Sequence, residues 1–449
     1  MTVLGLAAGA LGTLLAMAPL DDAALRTALD RWFDARFDVK PPDVKSLAAV
    51  TKGRSLAEIE ALVRGGRASY PPPPIAPGEL VDGLPLQCDH VDYATTMSLQ
   101  LPKDYDAAKG WPLVIVGHGG NAEMSQERAE ATARSYVREF AEAALAKGFI
   151  VAAPASARGW MWIGNSVLLS AISKLSRDLH VDPDRVYVTG HSMGGHFSWR
   201  AGLYFADRFG AVAPMSGGYD YVADRSILAL FNVPGYATHG RDEPYGIADH
   251  NRKMKAWLEE HRFDWTIVEK PGGHEIFADE VPRVFDFCAA HPRDLYRPRV
   301  LARGGGSMKV DAGEPKKPSW PDHTWRSDRP IELQRFHWVE LLPAKAGTPA
   351  ASDLQEVLAE WKPGNRIELT TSKVRELRLW LHPKMVDLAK PIELVINGEQ
   401  RKVTAKPSLE ALLLPARALD DRGRLFHARL DLKITTDREL PEPSGAAER

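Results

Sequence analysis

The stretch Arg185-Val-Tyr-Val-Thr-Gly-His-Ser-Met-Gly-Gly-His196 decides how this chain is read. Val186 to Thr189 read as a buried strand, and Phe197, Trp199 and Leu203 continue beyond it as a helix. Between them, Gly190-His191-Ser192-Met193-Gly194 fits the pattern G-x-S-x-G. A serine at the apex of a tight strand-to-helix turn sits in a strained backbone conformation, with its hydroxyl pushed out above the sheet. Flanking glycines are needed because a Cβ there would collide with the neighbouring strand or helix. The helix that follows aims its first N–H groups at the site, where negative charge develops in acyl transfer. Ser192 is thus the candidate nucleophile, and the rest of the chain must supply its partners.

The flanking sequence alternates strands and helices. Pro112 to Val116 and Phe149 to Ala153 are apolar strands separated by a helical segment from about Ser125 to Lys147. A helix over Val167 to Leu179 precedes the serine strand. Ala211 to Pro214, Pro234 to Thr238 and Asp264 to Val268 are further strands, with helices over Ala248 to His261 and Val281 to Ala290. Apolar strands without alternation, separated by helices, imply a mostly parallel α/β sheet covered by helices on both faces. In such sheets the functional groups lie at the carboxyl ends of the strands.

Outward from this core, the organisation is as follows. Residues 1–18 form an apolar run ending Ala16-Met17-Ala18 before Pro19, the pattern of a cleaved signal peptide, so a secreted or periplasmic location is expected, with no stable membrane span after its removal. Residues 19–78 form a helical preface, with a capping box at Ser55 to Glu58 and a stiff Pro-rich linker from Pro71. The catalytic unit spans 83–292 and opens on a two-stranded hairpin at 86–101. A linker covers 293–321, a small C-terminal β-rich domain covers 322–440 with one helix expected around Leu354 to Trp361, and a disordered tail covers 441–449. The length of 449 residues fits two or three domains. A formal net charge of -2 leaves no basic excess for nucleic acid, which is excluded as a partner. Cys88 and Cys288 could form one disulfide or stand as two buried thiols, and the helical pattern around Cys288 favours thiols.

A serine hydroxyl needs a base to take its proton, and the base needs an acid to hold its tautomer. The strand from Pro234 runs into a loop holding Asp242, and the strand from Asp264 runs into a Gly-rich loop holding His274. Ser192, Asp242 and His274 therefore stand in the chain order nucleophile, acid, base. Glu243 is adjacent to Asp242, and Asp220 follows the preceding strand; Asp242 is the acid expected. Two backbone N–H groups must converge on the oxyanion: one from Met193, the other from Gly117-His118-Gly119-Gly120-Asn121, with Gly120 first and Gly119 second. Trp160, Trp162 and His118 are candidates for the substrate pocket; a packed loop anchor is an equal reading for the tryptophans, and a hydrogen-bonded histidine orienting its loop is the better reading for His118. No metal cluster or dinucleotide fingerprint stands out, and no cofactor is expected. Trp320, Trp325, Trp338, Trp361 and Trp380 suggest a carbohydrate-binding face, but Trp338 and Trp380 alternate with apolar neighbours and read better as core.

On these motifs the chain resembles the α/β-hydrolase superfamily. Leu179-His-Val-Asp-Pro-Asp-Arg-Val-Tyr-Val-Thr-Gly-His-Ser-Met-Gly-Gly195 looks like the secreted esterases grouped with polyhydroxybutyrate depolymerases and feruloyl esterases. It is also similar to dienelactone hydrolases and to the catalytic domains of prolyl oligopeptidases. The resemblance covers about residues 83 to 292 and implies a triad at Ser192, Asp242 and His274. His118-Gly-Gly-Asn121 lacks the third glycine of lipase-type loops, which argues against a hormone-sensitive-lipase-like enzyme. The reading is a serine carboxylic-ester hydrolase whose ester substrate is an acyl or feruloyl ester carried by a polysaccharide. A prolyl-oligopeptidase-like peptidase would instead cleave a proline amide faster than an ester. A catalytically silent binding protein on the same fold would show no reactive serine.

Overall fold

The computed structural model describes residues 21–121, 123–218, 227–304, 309–310, 323–342 and 354–441. The leader expected over 1–18, Asp220, Trp320 and the tail from 442 lie outside the described residues. The chain opens on helices α1 (Asp22–Asp34) and α2 (Leu56–Arg64). The capping box at Ser55 is formed: its hydroxyl accepts the Glu58 N–H at 3.2 Å, and its own N–H donates to the Glu58 carboxylate at 2.7 Å.

The main sheet follows: β1 (Leu80–Gln87), β2 (Ala94–Gln100), β3 (Trp111–Gly117), α3 (Gln126–Ala146), β4 (Ile150–Pro154), α4 (Ile163–Asp178), β5 (Val181–His191), α5 (Met193–Phe205), β6 (Ala211–Met215), β7 (Gly235–Gly240), α6 (Ile247–Glu260), β8 (Trp265–Lys270) and α7 (Val281–Ala290). The eight strands lie in the order β1-β2-β4-β3-β5-β6-β7-β8. β1 and β2 join antiparallel, and every pairing from β4 to β8 is parallel. Strands alternate their side chains between two faces. Leu113 and Ile115 of β3 pack in one core with Val167, Leu168, Phe197 and Leu203, from α4 and α5. Val114 and Val116 pack in the other with Phe140 and Phe285, from α3 and α7. Helices on both faces explain why β3 is buried along its whole length. This is the α/β-hydrolase fold.

The C-terminal part is a separate β-rich region. Its elements are β9 (Arg299–Gly304), β10 (Lys309–Val310), β11 (Ile331–Glu332), β12 (Arg335–Phe336), β13 (Val339–Leu341), β14 (Gln355–Lys362), β15 (Arg366–Ser372), β16 (Glu376–Leu381), β17 (Ile392–Ile396), β18 (Glu399–Val403), α8 (Leu409–Ala418) and β19 (Ala428–Lys433). They form a five-stranded sheet β18-β17-β15-β14-β9, a four-stranded sheet β12-β13-β16-β19 and the pair β10-β11.

Three sequence expectations are corrected here. The segment expected to be helical around Leu354 to Trp361 is β14. Leu354, Val357, Leu358 and Trp361 mimic a helical stripe, yet Val357 and Ala359 enter the C-terminal core while Leu358 turns the other way, against the hydrolase core. The span expected to be a linker contains β9, which pairs antiparallel with β14; Val300 and Ala302 enter the C-terminal core and Leu301 the hydrolase core. The preface is no free-standing unit: Leu25, Leu29, Trp32 and Leu62 share a core with Leu412, Leu413 and Ala416 of α8, a helix not foreseen in the β-rich region. A buried ionic network reinforces these joins. Arg293 donates to the Asp421 carboxylate at 2.6 and 3.0 Å, and Arg424 donates to Asp207 at 2.6 Å. Trp338 is 0% exposed and Trp380 4% exposed, so both are core residues and not a glycan platform. Cys88 and Cys288 are buried free thiols. Among the described residues no helix is long and apolar enough to cross a membrane.

Candidate active site

The site stands where β3 and β5 end side by side, with Gly117 opposite Gly190 in the parallel register. The two backbones approach so closely that a Cβ on Gly190 or Gly194 would overlap the Gly117 carbonyl oxygen. That contact is the steric reason for glycine at both positions of the motif. Ser192 itself has φ 61° and ψ -120°, a backbone conformation costing on the order of 1–3 kcal/mol for a side chain with a Cβ. Its N–H donates to the Met215 carbonyl at 3.0 Å, which helps to hold the turn against β6.

The Ser192 hydroxyl donates to His274 Nε2 at 2.7 Å. His274 Nδ1–H donates to a carboxylate at 2.6 Å, and that carboxylate is Glu243, not Asp242. The acid expected at Asp242 is thereby corrected. Asp242 occupies the turn after β7 with its side chain exposed, and its N–H donates to the Gly272 carbonyl at 2.9 Å. Glu243 leaves that turn immediately before Pro244, and a residue before proline is biased to extended backbone. Its side chain is fully buried. Burial pushes the Glu243 carboxyl up. Hydrogen bonds from His274 and from the Gly240 N–H outweigh it and hold the group below the usual carboxylate range. Glu243 is therefore an anion facing the imidazole, the charge an imidazolium at His274 needs.

The loop after β3 brings Gly119 against the nucleophile: a Cβ placed on Gly119 would lie 3.4 Å from Ser192 Cβ and 2.5 Å from the Tyr136 hydroxyl oxygen. That hydroxyl also meets His191 Nδ1 at 3.1 Å. Gly120, the first loop donor expected from sequence, is exposed and has φ 123°. Met193 opens α5, so its N–H belongs to the first turn, which lacks intrahelical acceptors. Tyr136 carried no motif in the sequence. A tyrosine one turn before Phe140 on an amphipathic helix reads as core, and only the fold brings it to the elbow.

Of the three pocket candidates, His118 and Trp160 are packed beneath the loop, as their structural readings expected. His118 is fully buried beneath the site; its Nδ1–H donates to the Gly119 carbonyl at 2.8 Å and its Nε2 accepts the Ser156 N–H at 2.9 Å. Burial lowers it to about 4, so it stays neutral and braces the loop. Trp160 is 3% exposed, stacks on Phe197 at 4.4 Å and donates to the His118 carbonyl at 2.9 Å. It is an anchor under the loop, not a wall for substrate. Trp162, at φ 39°, caps α4 and is half-buried. His191 is likewise lowered to about 4, first by burial and then by its neighbour His274, whose ring centre is 4.8 Å away.

Among the described residues, Glu60, His382 and His427 are spaced closely enough to hold a metal ion. The Lys384 N–H donates to His382 Nδ1 at 3.1 Å, which puts the ring proton on Nε2, facing Glu60 at 2.9 Å. That tautomer makes a hydrogen bond and leaves no lone pair for a metal. The cluster ties α2 to the C-terminal region.

Residues 172–266 match the family described as a putative esterase. A poly(3-hydroxyoctanoate) depolymerase from Pseudomonas fluorescens is 26% identical over 224 residues, covering 43% of this chain and 78% of that protein. Similar solved structures include a thermostable esterase, 20% identical with a TM-score of 0.41, covering 47% of this chain and 63% of that one. The feruloyl esterase module from Clostridium thermocellum complexed with sinapinate is 14% identical with a TM-score of 0.35, covering 49% of this chain and 90% of that one.

Proposed function

We propose that the protein is a serine carboxylesterase that works through an acyl-enzyme. The observation that carries this reading is the unbroken chain from Ser192 through His274 to Glu243, at 2.7 and 2.6 Å, set on a strained turn at the start of a helix. Ser192 Oγ attacks the ester carbonyl as its proton passes to His274 Nε2. The imidazolium is held by Glu243, and the oxyanion is taken by the N–H groups of Met193 and Gly120. The proton then goes to the departing alcohol. Water, deprotonated by His274, attacks the acyl-enzyme, releases the acid and restores Ser192. No cofactor enters this sequence.

An ester with an apolar acyl group is the substrate class we favour. Met161, on the loop after β4, and Tyr245, on the loop after β7, are 41% and 79% exposed; both loops leave the carboxyl edge of the sheet. The depolymerase relative points to medium-chain hydroxyalkanoate esters, and feruloyl or other polysaccharide-linked esters come next. The leader pattern at 1–18 supports export, which N-terminal sequencing of protein recovered from the medium or periplasm would test. The test of function is hydrolysis of p-nitrophenyl octanoate, methyl ferulate and a proline p-nitroanilide by the purified chain. Ester turnover with a burst of p-nitrophenol, absent in Ser192→Ala, is expected. Faster cleavage of the anilide would restore the peptidase reading, and folded protein inert to all three would restore the binding-protein reading.

A further inference from the structure

Strands β5, β7 and β8 each lead into one member of the Ser192–Glu243–His274 chain, and β6 lies between β5 and β7 without supplying one. Its last residue, Met215, is followed by Ser216, which is 0% exposed and has φ 48°. Glycine would take that backbone conformation at no steric cost. A serine there is strained, and strain of this kind gathers at functional sites.

The turn at Ser216 is fixed from three sides. The Met215 carbonyl accepts the Ser192 N–H at 3.0 Å, and the Ser216 N–H donates to the Thr238 carbonyl of β7 at 2.8 Å. Gly217 lies against the first turn of α5, where a Cβ on it would come within 2.3 Å of the Gly195 carbonyl carbon. The Gly217 carbonyl accepts from Asn251 Nδ2 of α6 at 2.8 Å and from Trp199 Nε1 of α5 at 3.3 Å. From this anchored position the Ser216 hydroxyl donates to the Glu275 carbonyl at 3.1 Å.

Glu275 is the residue after His274. The loop that carries them, Pro271 to Glu275, holds two consecutive glycines, with Gly272 at φ 125°. Such a loop has little stiffness of its own, so its placement depends on what it is tied to. The Asp242 N–H holds the Gly272 carbonyl at 2.9 Å on one side of His274. The Ser216 hydroxyl holds the Glu275 carbonyl on the other. Glu243 sets the rotation of the imidazole, and these two ties set where the ring stands above Ser192.

We propose that Ser216 is a positioning residue for the ester hydrolysis: its hydroxyl ties the His274 loop to the nucleophile turn and so maintains the 2.7 Å contact between Ser192 and His274. This rests on the function proposed above, and adds to it a residue with no exposed surface from which to touch substrate.

Ser216→Gly and Ser216→Ala test it, compared with the wild type in p-nitrophenyl octanoate hydrolysis, rate of fluorophosphonate labelling and thermal melting. Both substitutions remove the hydroxyl, but only glycine relieves the strained φ. The expected result is a fall in kcat of about tenfold in both, with KM nearly unchanged and labelling slowed alike. The glycine variant should melt at least as high as the alanine variant. Relief of strain without return of activity is an outcome that a residue serving only the fold would not give. Folded Ser216→Gly with wild-type kcat, or with its loss confined to KM, would overturn the proposal while an active, labelled wild type left the esterase reading standing. A wild type that neither turns over ester nor takes label would overturn both.

Discussion

Glu243→Gln should lower kcat by about a thousandfold, and Asp242→Asn should leave it within about twofold. The magnitude follows from the orientation the amide must take. One oxygen of Glu243 accepts the Gly240 N–H at 3.2 Å, and the other accepts His274 Nδ1–H at 2.6 Å. A glutamine keeps its carbonyl oxygen on the Gly240 N–H and turns its NH2 toward His274. The imidazole then has to accept at Nδ1 and carry its proton on Nε2, facing Ser192, where it can no longer act as base. The imidazolium also loses a fully buried anion. A thousandfold corresponds to about 4 kcal/mol of transition-state stabilisation. Asp242 is exposed and contributes through its backbone N–H, which asparagine retains. The assay is p-nitrophenyl octanoate hydrolysis with circular dichroism to confirm folding. Near-normal activity in folded Glu243→Gln together with a large loss in Asp242→Asn would refute the assignment.

Other outcomes follow from the same geometry. Tyr136→Phe removes the hydroxyl that meets His191 beside the nucleophile, worth about 1 kcal/mol, so kcat should fall about fivefold with KM nearly unchanged; an equal rise in KM would show that the hydroxyl serves substrate binding instead. Gly194→Ala sets a Cβ into the Gly117 carbonyl and should abolish activity and lower the melting temperature; a normally active, normally stable variant would contradict the close approach of β3 and α5. His118 is neutral when folded, at about 4, while its unfolded counterpart protonates near the ordinary value of 6.5. Between these values the unfolded chain binds the extra proton, so stability is present at neutral pH and is lost on acidification, by about 2 kcal/mol between about pH 7 and about pH 5 from this residue. Denaturant melts of His118→Gln should show that much less acid loss than the wild type, and an identical slope would contradict the assignment.

Much of the catalytic unit was legible in sequence because its determinants are local. The serine strand, its glycines and the helix after it announce themselves within a dozen residues, and the apolar strands cannot be mistaken for an amphipathic sheet. The acid was misread because Asp242 and Glu243 are neighbours, and only the exit of the chain from the turn decides which carboxylate faces His274. Proline at 244 was the available signal. Trp160 and His118 follow strand ends, where pocket lining and loop bracing look alike in sequence, and tertiary packing puts both underneath the loop. The C-terminal region misled in a different way. Ala359 fits either periodicity, and Leu358 packs on a core that its own sheet does not own, so β14 carries apolar residues on both faces. The union of the preface with α8 has no local signature at all.

The measurement that tests the central claim most directly is labelling with a fluorescent fluorophosphonate, wild type beside Ser192→Ala. It needs an activated serine, a base within reach and an open site, and it needs no knowledge of the substrate. Labelling of the wild type and its loss in the variant is the predicted result. Folded wild-type protein that takes no label, or a variant that labels as strongly as the wild type, would contradict the account.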